Sequence, residues 1–222
     1  MKLAMPFTTE QFLRVFDKYN QTIFPMQFVL TLVGIAAVGL AVSRKPFANK
    51  TISGLLVFLW LWAGIIYHLI FFTKISPPAY VFGALFVFQG WLFLYEGVVK
   101  NSLSFRASQR FYGILGAIFI TYALVIYPLL GYALGRTFPA SPTFGTPCQT
   151  TIFTFGLLLW TDKKVSLSLL IVPILWSIVG TSAALTFGIK EDFGLLIAGT
   201  IGTASIIWRN LTPKMDKLSY GK

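Results

Sequence analysis

The spacing of charge restricts this chain more than any other feature. Seven stretches, 22–42, 51–72, 79–99, 111–134, 146–161, 165–186 and 193–208, contain no Lys or Arg and are dominated by aliphatic, aromatic and small residues. A bilayer core of roughly 30 Å takes about 20 such residues in a helix. In that solvent only helices and closed barrels satisfy every backbone N–H and C=O. Composition agrees: 56% of residues are hydrophobic and 11% charged, against roughly 25% charged in soluble domains. A soluble fold of 222 residues has no interior large enough for that much apolar surface. A single Cys excludes a disulfide framework, and one Cys with one His excludes a metal cage built from those residues alone.

The fold class is therefore all-α, a polytopic transmembrane helix bundle. The chain reads as a single membrane domain over 1–222. An interfacial amphipathic helix occupies 1–21, the bundle 22–208, and a basic cytoplasmic tail 209–222. With seven spans, twelve Lys and Arg fall on the side of the 43–50 and 100–110 loops, Lys163, Lys164 and the tail, and six on the other. Positive residues favour the cytoplasmic side, so the N-terminus lies outside and the C-terminus inside. The alternative has six spans, with the fifth stretch re-entrant. It divides the same residues eleven to seven. Basic residues in short loops beside spans answer to topology and anionic headgroups, not to nucleic acid.

Residues 8–20 alternate like an amphipathic helix. Thr8 and Gln11 fit a capping box. Phe12, Val15, Phe16, Tyr19 and Ile23 share one face, opposite Arg14, Asp17 and Lys18. This segment is expected to lie in the headgroup layer, as a simple anchor or as a lid over an outward opening.

Small residues repeat every four positions in the last two spans, as Gly180, Ala184, Gly188 and as Gly194, Ala198, Gly202. Such stripes let helices approach closely, either in a hairpin or between copies in a homo-oligomer. Trp60, Trp62, Trp91 and Trp176 fall near mid-membrane, where indole N–H groups want partners. His68 and Glu96 are the ionisable groups within spans. They fall near opposite ends of adjacent spans, and Glu96 is placed to pair with Lys100.

The most distinctive stretch reads GRTFPASPTFGTPCQTTIFTFG, residues 135–156. Pro139, Pro142 and Pro147 forbid a regular helix through its first part, and Gly145 permits a sharp turn. Pro147 suits a first helical position, but only 147–161 then remain before Asp162. Broken segments of this kind place helix N-termini at solute sites in transporters. Arg136, Cys148, Gln149, Thr150, Thr151 and His68 form the candidate outward-facing site, for a small solute, an anion or a metal ion. The bland reading is an ordered external loop with an inert thiol.

The opening PFTTEQFLRVFDKYN, taken with this block, resembles an uncharacterised family of bacterial multi-span membrane proteins, a domain of unknown function. The resemblance implies a cell inner membrane address and carries no activity or catalytic residue. Three function classes follow: a transporter or solute-binding membrane protein, a non-transporting sensor or assembly partner, and a membrane enzyme using a Cys148–His68 pair. No HExxH or GxSxG motif supports the third, and no cofactor is predicted. The expected partners are the lipid bilayer and a small solute or ion.

Overall fold

The computed structural model describes residues 7–43 and 45–212. Arg44 and the tail residues Lys214, Lys217 and Lys222 lie outside the described residues, as does Lys2. The described residues form helices and no strand, apart from one isolated bridge between Phe105 and Thr161.

Helix α1 is Thr9–Ile23. Its capping box forms as expected: the Gln11 side chain accepts from the Thr8 amide at 2.8 Å and the Thr8 hydroxyl accepts from the Gln11 amide at 3.2 Å. Phe12, Val15, Phe16 and Tyr19 are buried. Five helices are long and apolar enough to cross a membrane: α2 (Met26–Ser43), α3 (Ala48–Lys74), α4 (Ala79–Val99), α5 (Phe111–Ala133) and α7 (Ser168–Phe187). Helix α6, Pro147–Leu159, is shorter. A last helical run, α8, covers 193–211.

Several rods widen locally into π-type turns, at Trp62–Phe71, Leu94–Val99, Tyr122–Ile126 and Ala198–Gly202. In α5 the cause is legible. Pro128 has no N–H to donate, its ring crowds the carbonyl one turn back, and the helix opens just ahead of it.

Helix α6 is the axis of the bundle. Every residue from Gln149 to Leu159 is buried. Against α5 the two backbones touch at Gly116 and Gly156: a Cβ on Gly156 would stand 2.9 Å from the Gly116 carbonyl oxygen. Against α3, the Trp60 indole donates to the Thr154 hydroxyl at 3.0 Å. A helix of 13 residues spans about 20 Å. That suffices because protein, not lipid, surrounds it, so its ends need not reach the headgroups.

The two ends of α6 meet different surroundings. Its start lies beside α1 and the short helical turn Lys190–Asp192. Its end meets the 100–110 segment, where the Arg106 amide donates to the Trp160 carbonyl at 2.6 Å and Arg106 pairs with Asp162 at 3.1 Å. Arg209, at the end of α8, donates to the Leu158 and Leu159 carbonyls at 3.2 and 2.9 Å, closing the C-terminus of α6.

Glu96 pairs with Lys100 at 3.1 Å, as its spacing predicted. The small-residue stripes divide their work differently from the simple hairpin. Gly180 faces Leu195 and Gly199 faces Ser177, and these close contacts join α7 to α8. Gly194 instead faces Tyr122 of α5, and Gly202 faces Phe119 and Phe155 of α5 and α6. Ala184 and Ala198 are buried within the chain. Gly188 packs against nothing and ends α7 at φ +70°, the left-handed turn that suits glycine. The outer faces of the long helices carry exposed Phe28, Leu32, Phe88, Trp91, Ile118, Leu175 and Ile178, as lipid contact requires.

Candidate functional site

The proline-rich block folds as a broken connection from α5 to α6. Gly135 turns the chain at φ +85°. Asn20 of α1 then holds the block: its amide donates to the Pro139 and Ser141 carbonyls at 2.6 and 2.7 Å, and its side-chain oxygen accepts from the Thr143 hydroxyl at 2.8 Å. From Pro142 the chain dives inward, and Phe144, Gly145, Thr146 and Pro147 are buried. Gly145 lies at φ +98°, and a Cβ there would stand 2.6 Å from Leu30 of α2. Only glycine meets both demands. Thr146 precedes α6 with extended backbone and donates to the Gln149 side chain at 3.2 Å, leaving the helix start without a side-chain cap.

The sequence-predicted site residues separate. Arg136 brings no free positive charge to α6. Its guanidinium forks onto Glu191, with Nε donating to Oε1 at 2.8 Å and Nη2 donating to Oε2. Glu191 is fully buried and Arg136 mostly so. This corrects the anion-attracting role expected of Arg136: a buried carboxylate is stable there only with its cation. The Thr151 hydroxyl donates to the Pro147 carbonyl at 2.8 Å, within its own helix. Gln149 and Thr150 are buried in the interior, and Gln149 Nε2 and Thr150 Oγ1 have no hydrogen-bond partner among the described residues.

His68 is also buried, boxed by Tyr67, Phe72, Phe82, Phe86 and Trp176, the last at 4.9 Å between ring centroids. Neither imidazole nitrogen has a hydrogen-bond partner among the described residues. The thiol–imidazole pair that a Cys148 nucleophile needs is therefore not formed. Among the described residues, no three His, Cys, Asp or Glu side chains are grouped to hold a metal ion.

Cys148 alone of the six lines a cavity, of about 160 Å³, at this end of the bundle. Its walls come from elements far apart in sequence. Helix α1 supplies Phe12 and Phe16, with Phe7 just ahead of it, α3 supplies Tyr67 and Phe72, and α7 supplies Trp176 and Phe187. Phe12 stacks on Phe187 with centroids 4.8 Å apart. Nearly all of the wall is apolar. The exceptions include Asp192, Cys148 and Thr146, and both Tyr127 and Cys148 hydrogen-bond Asp192. The Tyr127 hydroxyl donates to Asp192 Oδ1 at 2.5 Å, and the Tyr122 hydroxyl donates to the Glu191 carbonyl at 2.7 Å. The indole N–H of Trp176 faces the thiol and has no oxygen or nitrogen partner.

Asp192 lies in the connection between α7 and α8, outside the spans. Burial pushes its carboxyl up to about 7, against the lowering effect of hydrogen bonds from Tyr127 and Cys148 and of the Arg136 charge. Arg136 is paired with Glu191, so Asp192, the carboxyl on the cavity wall, has no cation paired to it among the described residues.

The sequence reading passed over Asp192, Glu191 and Tyr127. A signal was present. The chain has only 7 acidic residues, and two of them stand together against an apolar span. No curated protein and no solved structure matches the chain. A family profile does match, over residues 9–217, which is most of the chain. The chain belongs to that family, a family of unknown function designated DUF6064.

Proposed function

We propose that the chain is a multi-pass protein of the bacterial inner membrane, with seven spans and the N-terminus outside, that binds a small solute in the cavity beneath α1. The observation that carries this reading is the cavity itself: an aromatic enclosure with one buried carboxyl, Asp192, on its wall, hydrogen-bonded by Tyr127 and Cys148. Mostly apolar pockets with a small number of placed polar groups are the common form of a small-molecule site. Its rim reaches the surface at Pro78 and Ser182, which are exposed. The seven-span reading draws support from α6, which starts beside α1 and ends beside Arg106 and Arg209, so it passes from one end of the bundle to the other. The cavity then opens on the side poorer in Lys and Arg, which is the outer side.

The lone cysteine provides the test. A small membrane-impermeant methanethiosulfonate, added outside intact cells, is expected to modify Cys148. Ala183→Trp, which places an indole in the cavity, is expected to slow that reaction. Modification only after the membrane is opened would overturn the outward-facing site. Whether bound solute crosses the membrane is read separately, from flux in proteoliposomes. Binding without flux favours a sensor, whose moving part would be α1.

A further inference from the structure

We propose that the solute held in this cavity is a compact organic ammonium ion, clasped by the aromatic rings of α1, α3 and α7 and neutralised by Asp192. The proposal rests on the solute-binding reading and names its ligand class.

Three observations converge on it. First, the wall is lined by the aromatic rings of Phe7, Phe12, Phe16, Tyr67, Phe72 and Trp176. Aromatic rings attract a cation through their negative faces, and the attraction grows where water is excluded. Second, the local charge balance leaves one negative group. Glu191 is engaged by Arg136, while Asp192 has hydrogen bonds from neutral groups and, among the described residues, no cation paired to it. A carboxylate buried in apolar surroundings is costly unless a cation joins it. A ligand ammonium supplies that cation, and an anion would meet the opposite field. Third, the size fits. Cavities on the order of 150 Å³ take a benzene-sized guest, and about 160 Å³ is present here. That volume admits a trimethylammonium head or a short primary amine.

The arrangement also couples binding to protons. The groups facing Asp192 are Tyr122 and Tyr127 from α5, Cys148 from α6, Tyr67 from α3, its neighbour Glu191, and Arg136. Arg136 is the single cation among them and is committed to Glu191. The empty site therefore carries a carboxyl that is partly protonated near neutrality, and an arriving ammonium displaces that proton. Affinity is expected to fall as pH drops below about 7, the value to which burial raises Asp192.

The experiment uses the full chain in lipid nanodiscs, with choline and its uncharged isostere, in which tert-butyl replaces trimethylammonium. Calorimetric titration and protection of Cys148 from the methanethiosulfonate are the two readouts. Choline is expected to bind at least about tenfold more tightly than the isostere, to protect Cys148, and to lose that advantage in Asp192→Asn or at pH 5. Equal binding of the two probes overturns the ammonium assignment and leaves the solute-binding reading standing. So does Cys148 modification that neither probe slows. If Cys148 proves inaccessible altogether, the cavity is closed and both readings fail. Should Asp192→Asn not fold, the choline-to-isostere comparison on the unaltered chain still decides the matter.

Discussion

Arg136 and Glu191 illustrate how strongly a single pair governs this end of the molecule. Glu191 has no exposed surface and its carboxylate oxygens are both taken by one guanidinium. Breaking one partner of a buried pair leaves an uncompensated charge, at a typical cost of about 3–5 kcal/mol. Arg136→Gln is therefore expected to destabilise the protein by about that amount in thermal unfolding in detergent. Adding Glu191→Gln to the same chain is expected to recover most of the loss. A double variant no better than the single one would refute the pairing. Indole groups show the same economy of partners. Trp60 donates to Thr154 at 3.0 Å, Trp62 to the Tyr19 hydroxyl at 2.8 Å and Trp160 to the Gly113 carbonyl at 2.8 Å. Among the buried indoles of the described residues Trp176 is the exception, and it is the tryptophan that lines the cavity. Burial also raises the Tyr19 hydroxyl well above the usual tyrosine value, so it remains a neutral partner for Trp62.

Two elements carry most of the architecture. Helix α6 is narrow where α5 crosses it, because Gly116 and Gly156 let the backbones meet. Gly156→Ala is expected to cost about 1–3 kcal/mol, the usual range for inserting a methyl group into a filled contact. The check is equilibrium unfolding, with Gly39→Ala as control, since a Cβ at Gly39 would meet nothing. Helix α1 forms one wall of the cavity, and it is tied down by Asn20 through three side-chain hydrogen bonds to the 139–143 block. Asn20→Ala leaves two part-buried carbonyls and a hydroxyl short of a partner, and each lost hydrogen bond costs about 0.5–1.5 kcal/mol. The expected result is faster hydrogen exchange across Thr9–Ile23, with exchange in α6 unchanged. A uniform change across the chain would mean that α1 is not a separable unit.

At the scale of the whole molecule, the proposed seven-span path predicts which positions share a membrane face. In a Cys148→Ser background, single cysteines at Glu10 and Thr137 are expected to react with an impermeant maleimide from outside, and cysteines at Phe47 and Lys163 only from inside. Reaction of positions 137 and 163 from one side would restore the re-entrant alternative. The rods themselves were legible in advance. The expected span at 79–99 coincides with Ala79–Val99, and 111–134 nearly with Phe111–Ala133. The capping box, the Glu96–Lys100 pair and the shortness of the fifth segment were equally plain, since each depends on residues within a few positions of one another. The composition of the site was not. Of the six residues expected to meet, only Cys148 reached the cavity, and the acid at its centre was overlooked.

That division has a physical cause. Hydrocarbon acts on each stretch of chain separately, so the run of apolar residues and the position of each charge suffice to say where a helix enters and leaves. Helical periodicity does the same for the face that α1 buries. The cavity depends on which faces of distant helices come together. Arg136 reaches Glu191 across 55 positions and Tyr127 reaches Asp192 across 65. Packing of α5, α6 and α7 brings those groups to one place, and α1 folds back across them to complete the enclosure.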